Sequence, residues 1–316
     1  MDLFLETTPT VQENTTDQRE RLRVFNNNGR VDHWNVSLDS WRADRLKGSG
    51  AGTYSNEWNR ERPGAFQVLD AHSLYFETLG ELGVVGVVLL AVAVGALLAG
   101  LLWRLRGPDR PGVAAATAVL AGWMLHAGVD WDWELTAVSL WVFGLAGLAL
   151  ARPAAATGRR PIPRLLRLVV ALGLLLLAIS PATLWRSQAR LADARAAFDR
   201  GDCRTTIDAA LDSLSALGVR AEPWELIAYC NVRLGQPDLA VDAAEAAARR
   251  DPENWEYRYA LALVRGAARE DPRPAAAEAL RMNPKQPEAQ EAVKAFRTDR
   301  PRVWERRARE LPLFLR

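Results

Sequence analysis

Residues 82–103 read LGVVGVVLLAVAVGALLAGLLW, 22 residues without a charge. At about 1.5 Å of rise per residue the run reaches roughly 33 Å as a helix, enough to cross a hydrocarbon core of about 30 Å. Three more apolar runs follow, at 112–129, 135–151 and 165–184. The second and third runs are short for spans and fit a hairpin closed by Asp130-Trp131-Asp132-Trp133-Glu134. In the fourth, Arg167 lies near the start, where its head can reach the interface. A soluble helical core is the alternative, but four apolar runs with alternating flank charge argue against it. The expected fold class is therefore all-α: four transmembrane helices with polar segments on either side.

Charge sets the orientation. Arg104, Arg106 and Arg110 outweigh Asp109 after the first run, and Arg152, Arg159, Arg160, Arg164 and Arg167 precede and enter the fourth without an acid. The turn between the second and third runs holds three acids and no base. The positive-inside rule places the two arginine loops in the cytoplasm, making this a multi-pass membrane protein. Residues 1–81, the DWDWE turn and residues 185–316 are then extracytoplasmic. Trp103, Trp131, Trp133 and Trp185 fall at span ends, as interfacial aromatics do. The net charge of +2 conceals this segregation and gives no basic field for nucleic acid. The start, MDLFLETTPTVQENTTDQRE, has neither the basic nor the apolar region of a signal peptide. Export of residues 1–81 then calls for spans upstream. The expectation is a C-terminal portion of a longer polytopic protein, or a misassigned start.

The tail repeats. Gly201 and Gly235 stand 34 residues apart, and Ile207/Val241, Asp208/Asp242 and Ala210/Ala244 keep that offset. Thirty-four is the period of the tetratricopeptide repeat. From Ala221, Trp224, Ile227, Ala228, Gly235, Ala240, Ala244, Ala247 and Pro252 fill its characteristic positions, and a third unit runs from near Trp255 to Pro284. Residues 186–296 thus read as three such units, an α-solenoid whose groove takes a protein or peptide partner, or which serves as a spacer. Cys203 and Cys230 fall on adjacent helices, as a disulfide or as two buried thiols, and neither lies in a CxxC zinc pattern. The basic, amphipathic end, TDRPRVWERRARELPLFLR, either caps the stack or touches anionic lipid.

The segment before the first span carries the polar chemistry. Val31, Trp34, Leu38 and Trp41 recur at helical spacing, predicting an amphipathic helix over 31–44 with Arg30 at its start. In the run LKGSGAGTY, Gly48, Gly50 and Gly52 permit tight turns and close approach to a ligand, or make a plain flexible turn. No strand precedes them, so a dinucleotide fingerprint is excluded. Asp70 is read as an N-cap that puts His72 in a first helical turn, where the dipole favours the neutral imidazole. His72 then suits a general base, or is an interfacial histidine that only hydrogen-bonds. Phe76 and Leu79 would share its face, with Glu77 and Glu81 directed elsewhere. Residues 1–81 hold nine basic and thirteen acidic residues, so a bound phosphate needs single placed arginines. Arg30 is the first candidate, with Arg19, Arg21, Arg23, Arg42, Arg45 and Arg60 behind it. His126 and Asp130 form a further polar pair, functional or helix-capping.

Arg30-x-x-x-Trp34, Gly48-x-Gly50-x-Gly52-x-Tyr54 and Ala71-His72-Ser73-x-Tyr75-x-Glu77-x-x-x-Glu81-x-Gly83-x-x-Gly86 resemble, in order and spacing, the O-antigen ligase and O-antigen polymerase superfamily. The resemblance covers roughly residues 20–150. It implies a polysaccharide-biosynthesis glycosyltransferase of the cell envelope, using neither metal nor cofactor nor nucleotide sugar. Such an enzyme moves a glycan from undecaprenyl diphosphate to a hydroxyl of a glycan or lipid acceptor. It implies a bacterial enzyme of the cytoplasmic (inner) membrane in which Arg30 holds the diphosphate and His72 positions or deprotonates the acceptor hydroxyl, with Gly48, Gly50, Gly52, Tyr54, Tyr75 and Glu77 lining the substrate site. Ligase and polymerase share these motifs. Family members have about ten or more spans, against four here. The alternative is a non-catalytic, membrane-anchored tetratricopeptide scaffold for an envelope complex.

Overall fold

A computed structural model describes residues 27, 29–151 and 163–315. Among them are thirteen α-helices and no strand. The chain forms two compact units, residues 1–159 and 160–316.

The first unit contains α1 (Arg30–Ala43), α2 (Tyr54–Glu61), α3 (Leu74–Arg104), α4 (Arg110–Ala127), a single 3-10 turn (Asp132–Glu134) and α5 (Thr136–Leu150). Helix α1 begins where Gly29 adopts a left-handed φ of 79° and gives its N–H to Asn27 Oδ1 at 2.8 Å. Its buried residues are His33, Val36 and Ser37. Val31, Trp34, Leu38 and Trp41, the stripe expected to be covered, are only half-buried. The difference arises because Tyr54 and Trp58 of α2 cover the other side of α1: Val36, Tyr54, Trp58, Val68 and Ala71 make one small core.

Helix α3 contains the stretch quoted above. Its valines are β-branched and give little intrinsic helix preference. In an apolar phase, however, a helix satisfies every backbone group within the segment. Leu101, Val113, Leu120, Val142 and Ala146 pack α3, α4 and α5 together, and Trp123 Nε1 donates to Ser139 Oγ at 3.2 Å. Arg104 Nη1 closes the base by donating to the terminal carbonyls of Leu150 (2.9 Å) and Ala151 (2.7 Å), where a helix end is negative. The outward side is as apolar as the inside: Leu89, Val92, Leu140 and Leu148 are 64–73% exposed.

The second unit begins with α6 (Arg164–Asp199), followed by α7 (Cys203–Ala216), α8 (Glu222–Arg233), α9 (Pro237–Arg250), α10 (Trp255–Ala267), α11 (Arg273–Met282), α12 (Pro287–Ala295) and α13 (Pro301–Glu310). Helices α3 and α6 are the two, among the described residues, long and apolar enough to cross a membrane. Helices α4 and α5, at 18 and 15 residues, are shorter. Helix α6 is continuous across residue 184, with Pro181 inside it. Residues 165–177 of it are almost wholly exposed, whereas Leu191, Ala194 and Phe198 are buried against the following helices.

The 34-residue period is visible in the backbone. Residues 201, 235 and 269 all take a left-handed φ, of 77°, 71° and 63°. The first two are glycines; Arg269 holds the third position. Small side chains let the helices approach: Ala240, Ala244, Ala247, Ala260, Ala276 and Ala279 are at most 1% exposed. Cys203 and Cys230 are joined in a disulfide between α7 and α8, with Cα atoms 5.1 Å apart. The chain end covers the stack: Trp304, Ala308 and Leu311 are buried, Tyr259 donates to Pro312 O at 2.7 Å, and Phe314 meets Trp255 at 5.0 Å.

Candidate functional site

Of the residues singled out in the sequence, Tyr54 and His72 come together around His33 of α1, whereas the glycine loop packs along α3 and Tyr75 reaches α4. Helix α3 is capped by Ser73, whose Oγ accepts from Phe76 N at 3.5 Å, and not by Asp70. His72 therefore precedes the helix, and it is not in its first turn. Its φ is 53°, a left-handed conformation uncommon for a residue with a side chain. The cause is local hydrogen bonding. Asp70 Oδ1 accepts from His72 N at 3.1 Å and from its Nδ1 at 2.5 Å. Asp70 thus closes a turn of its own and leaves capping to Ser73. One turn into α3, Glu77 reaches back to accept from Ala71 N at 2.8 Å, and is buried there.

His33 is the residue that sequence reasoning missed. It is buried, its Nδ1 lies 3.1 Å from Tyr54 Oη, and its ring centroid is 4.3 Å from that of Trp58 and 5.1 Å from that of His72. Burial, then the charges of His72 and Arg30, hold its pKa down to about 4, against the opposing pull of Asp70. The clue was its place three residues after Arg30, on a shared helix face. The His72 ring lies 5.1 Å from His33, and Arg30 precedes His33 by three residues on α1, so the charges of both act on this imidazole.

Arg30 opens α1, where the helix dipole disfavours a cation. It is held by Asp130, from the turn after α4, through Nη2–Oδ2 at 3.3 Å, while its Nε is buried with no hydrogen-bond partner among the described residues. Among those residues its fork is only partly used. The same acidic turn makes one more contact. His126 Nε2 lies 2.8 Å from Asp132 Oδ2, so His126 pairs with Asp132 while Asp130 goes to Arg30. Burial and the negative charge of Asp70 raise the pKa of Glu134.

The glycine loop has a defined task. Gly83 interrupts α3 with φ 62° and ψ −159°. The loop supplies the bonds the break removes: Ser49 N to Gly80 O (3.0 Å), Gly50 N to Glu81 O (2.8 Å), and, in return, Val84 N to Arg45 O (2.9 Å) and Val85 N to Leu46 O (3.3 Å). Glu81 accepts from Gly52 N at 2.8 Å and Tyr54 N at 2.9 Å. Contact is so close that a Cβ on Gly48 would lie 2.4 Å from Gly80 O, and one on Gly83 would lie 2.4 Å from Leu46 O. The backbone donors of this loop point at α3. Tyr54 sends its hydroxyl to His33, and Tyr75, 40% exposed, donates to Met124 O at 2.7 Å.

The reserve arginines are engaged elsewhere: Arg42 with Asp39, Arg45 over the Trp41 ring and Arg60 with Glu57. Arg19, Arg21 and Arg23 lie outside the described residues, as do Arg152, Arg159 and Arg160 of the second arginine loop. Among the described residues, no group of three or more His, Cys, Asp or Glu is arranged to hold a metal ion. The site offers an oriented imidazole, an arginine with a donor unused among the described residues, and a buried glutamate, Glu77. No protein-family model matches this chain, and no curated protein matches it.

Proposed function

We propose that the chain is an O-antigen ligase-like glycosyltransferase, spanning the bacterial cytoplasmic membrane four times, with its site on the extracytoplasmic side. In this reading α4 and α5 are spans two and three, and α7–α12 are tetratricopeptide-like units outside the cell membrane. Arg30 binds the diphosphate of an undecaprenyl-linked donor and carries the charge that develops there. The acceptor hydroxyl attacks the anomeric carbon, its proton passes to His72 Nε2, and the sugar–phosphate bond breaks with its electron pair leaving on the diphosphate. A donor of this kind keeps its reactive bond at the membrane surface, which is where residues 70–73 precede α3. The observation that carries the reading is the convergence of Arg30 and His72 on His33 at the head of a long apolar helix.

The test is substitution of the chromosomal copy. His72→Ala and Arg30→Ala should each abolish transfer of the glycan, read as loss of the glycoconjugate ladder on a gel, at unchanged protein level by immunoblot. Normal ladders from either strain would remove that residue from its role.

One observation favours a scaffold instead. A groove of about 530 Å³ between α7, α8 and α9 is lined by Trp224, Ile227 and Leu239, with Asn231, Asp242 and Arg249 at polar positions. Under that reading, deleting the repeats would disturb an envelope complex, while His72→Ala would leave the glycan unchanged.

A further inference from the structure

We infer that Asp70 is a positioning residue for His72, fixing both its ring tautomer and its left-handed backbone so that Nε2 presents the lone pair. This inference rests on the glycosyl-transfer reading for the reaction it serves, but not for the geometry. One carboxylate oxygen, Asp70 Oδ1, receives His72 Nδ1 at 2.5 Å and His72 N at 3.1 Å. A carboxylate only accepts, so the geometry assigns the proton to Nδ1. A neutral imidazole carries one ring proton, which leaves Nε2 as the acceptor. The second bond holds residue 72 at φ 53°. The Asp70 side chain is 14% exposed, so water competes weakly for it.

The surroundings fit this role. On α1, His33 puts an uncharged, buried ring 5.1 Å from the His72 ring, and Arg30 of the same helix pairs with Asp130. On the acidic turn, Glu134 interacts electrostatically with Asp70 and His72. When Nε2 takes the acceptor proton, the O–H bond breaks, an N–H bond forms and the ring gains a positive charge. Asp70 then faces an imidazolium through a bond already in place. Release of that proton to solvent restores the neutral ring. Neither the amphipathic α1 nor the glycine loop supplies another carboxylate within hydrogen-bond reach of Nδ1 among the described residues.

Two variants separate the charge from the turn. Asp70→Asn can still accept the His72 N–H through its side-chain oxygen but removes the anion. Asp70→Ala removes both. The sequence has three histidines, so ¹⁵N-imidazole-labelled protein in lipid nanodiscs gives three ring systems, assigned with His126→Gln and His33→Asn. The expected result is a protonated Nδ1 and an unprotonated Nε2 on His72 in the unmodified protein. In Asp70→Asn the Nε2–H tautomer should grow, and glycan transfer in the chromosomal strain should fall about 100-fold or more, the range for losing an oriented base. An unchanged tautomer with transfer within about threefold of normal would overturn the inference. If the unmodified strain transfers no glycan while the tautomer still inverts in Asp70→Asn, the transferase reading fails and the Asp70–His72 pairing stands.

Discussion

Gly48 and Gly52 share a left-handed backbone, with φ of 67° and 73°, yet alanine at the two positions should have different consequences. At Gly52 nothing lies within 4 Å of an added Cβ. The cost is then the left-handed penalty, about 1–2 kcal/mol, less about 0.4–1 kcal/mol regained by stiffening the unfolded chain, or roughly 1 kcal/mol net. At Gly48 the added carbon would sit 2.4 Å from both Glu81 C and Gly80 O, which are backbone and cannot rotate away. The loop must lift. Lifting it strips the two donors from Ser49 and Gly50 and the two acceptors at Arg45 and Leu46. At about 1 kcal/mol for each bond, Gly48→Ala costs roughly 4 kcal/mol locally. One factor of ten corresponds to about 1.4 kcal/mol, so amide exchange at Val84, Val85 and Gly50 should accelerate roughly 1,000-fold in Gly48→Ala and about fivefold in Gly52→Ala. Exchange measured by mass spectrometry on protein in nanodiscs reads both variants in one experiment. Equal acceleration in the two, or none in Gly48→Ala, would refute the claim that the loop completes the broken helix.

Three further outcomes are expected. Arg269→Gly should raise the melting temperature by the equivalent of up to about 1 kcal/mol, because it relieves a left-handed arginine whose ion pair to Glu305 is solvent-exposed and adds little. His33 has a folded pKa of about 4 against about 6.5 unfolded, so between those values the unfolded chain binds the extra proton; stability contributed by the neutral ring is intact above pH 6.5 and is lost as pH falls towards 4, by about 3 kcal/mol. The difference in stability between the unmodified protein and His33→Asn, followed by thermal unfolding from pH 7 to pH 4, should shrink accordingly; a constant difference would refute the buried neutral ring. Reducing the Cys203–Cys230 bond, which closes a 27-residue separation, should cost about 3–4 kcal/mol and lower the melting temperature of α7–α9, read by thermal scans with and without reductant.

Much of the fold could be read from local pattern. The uncharged run at 82–103 lies within α3, and Arg30 opens α1 as the helical spacing implied. The 34-residue offset reappears as three left-handed residues, although the third is Arg269, which no glycine count would find. Features set by contacts distant in sequence were less legible. His33 was passed over because Val31, Trp34, Leu38 and Trp41 marked the apolar face, whereas α2 folds over the opposite side. The cap was misplaced by three residues because Asp70 and Ser73 are equally good caps by type, and only the bond from His72 Nδ1 diverts Asp70. The glycines of 48–52 left a ligand loop and a plain turn both open, and sequence alone does not reveal that Gly83 breaks α3 and leaves four backbone groups for this loop. Spacing also left the cysteines open between thiols and a bond.

Helix α6 passes without a linker from its exposed apolar stretch into the packing of Leu191, Ala194 and Phe198 against the helices that follow. A chain of glycine and serine there would act as a tether, letting the stack wander at any height. A helix acts as a mast. Ser187, two residues past Trp185, already hydrogen-bonds Ser213 of α7, so the helix enters that packing without a gap, and adding or deleting residues before it would shift and rotate the following helices in set increments of about 1.5 Å and 100°. Pro181, which lacks a backbone N–H, lies within the apolar part of the same helix.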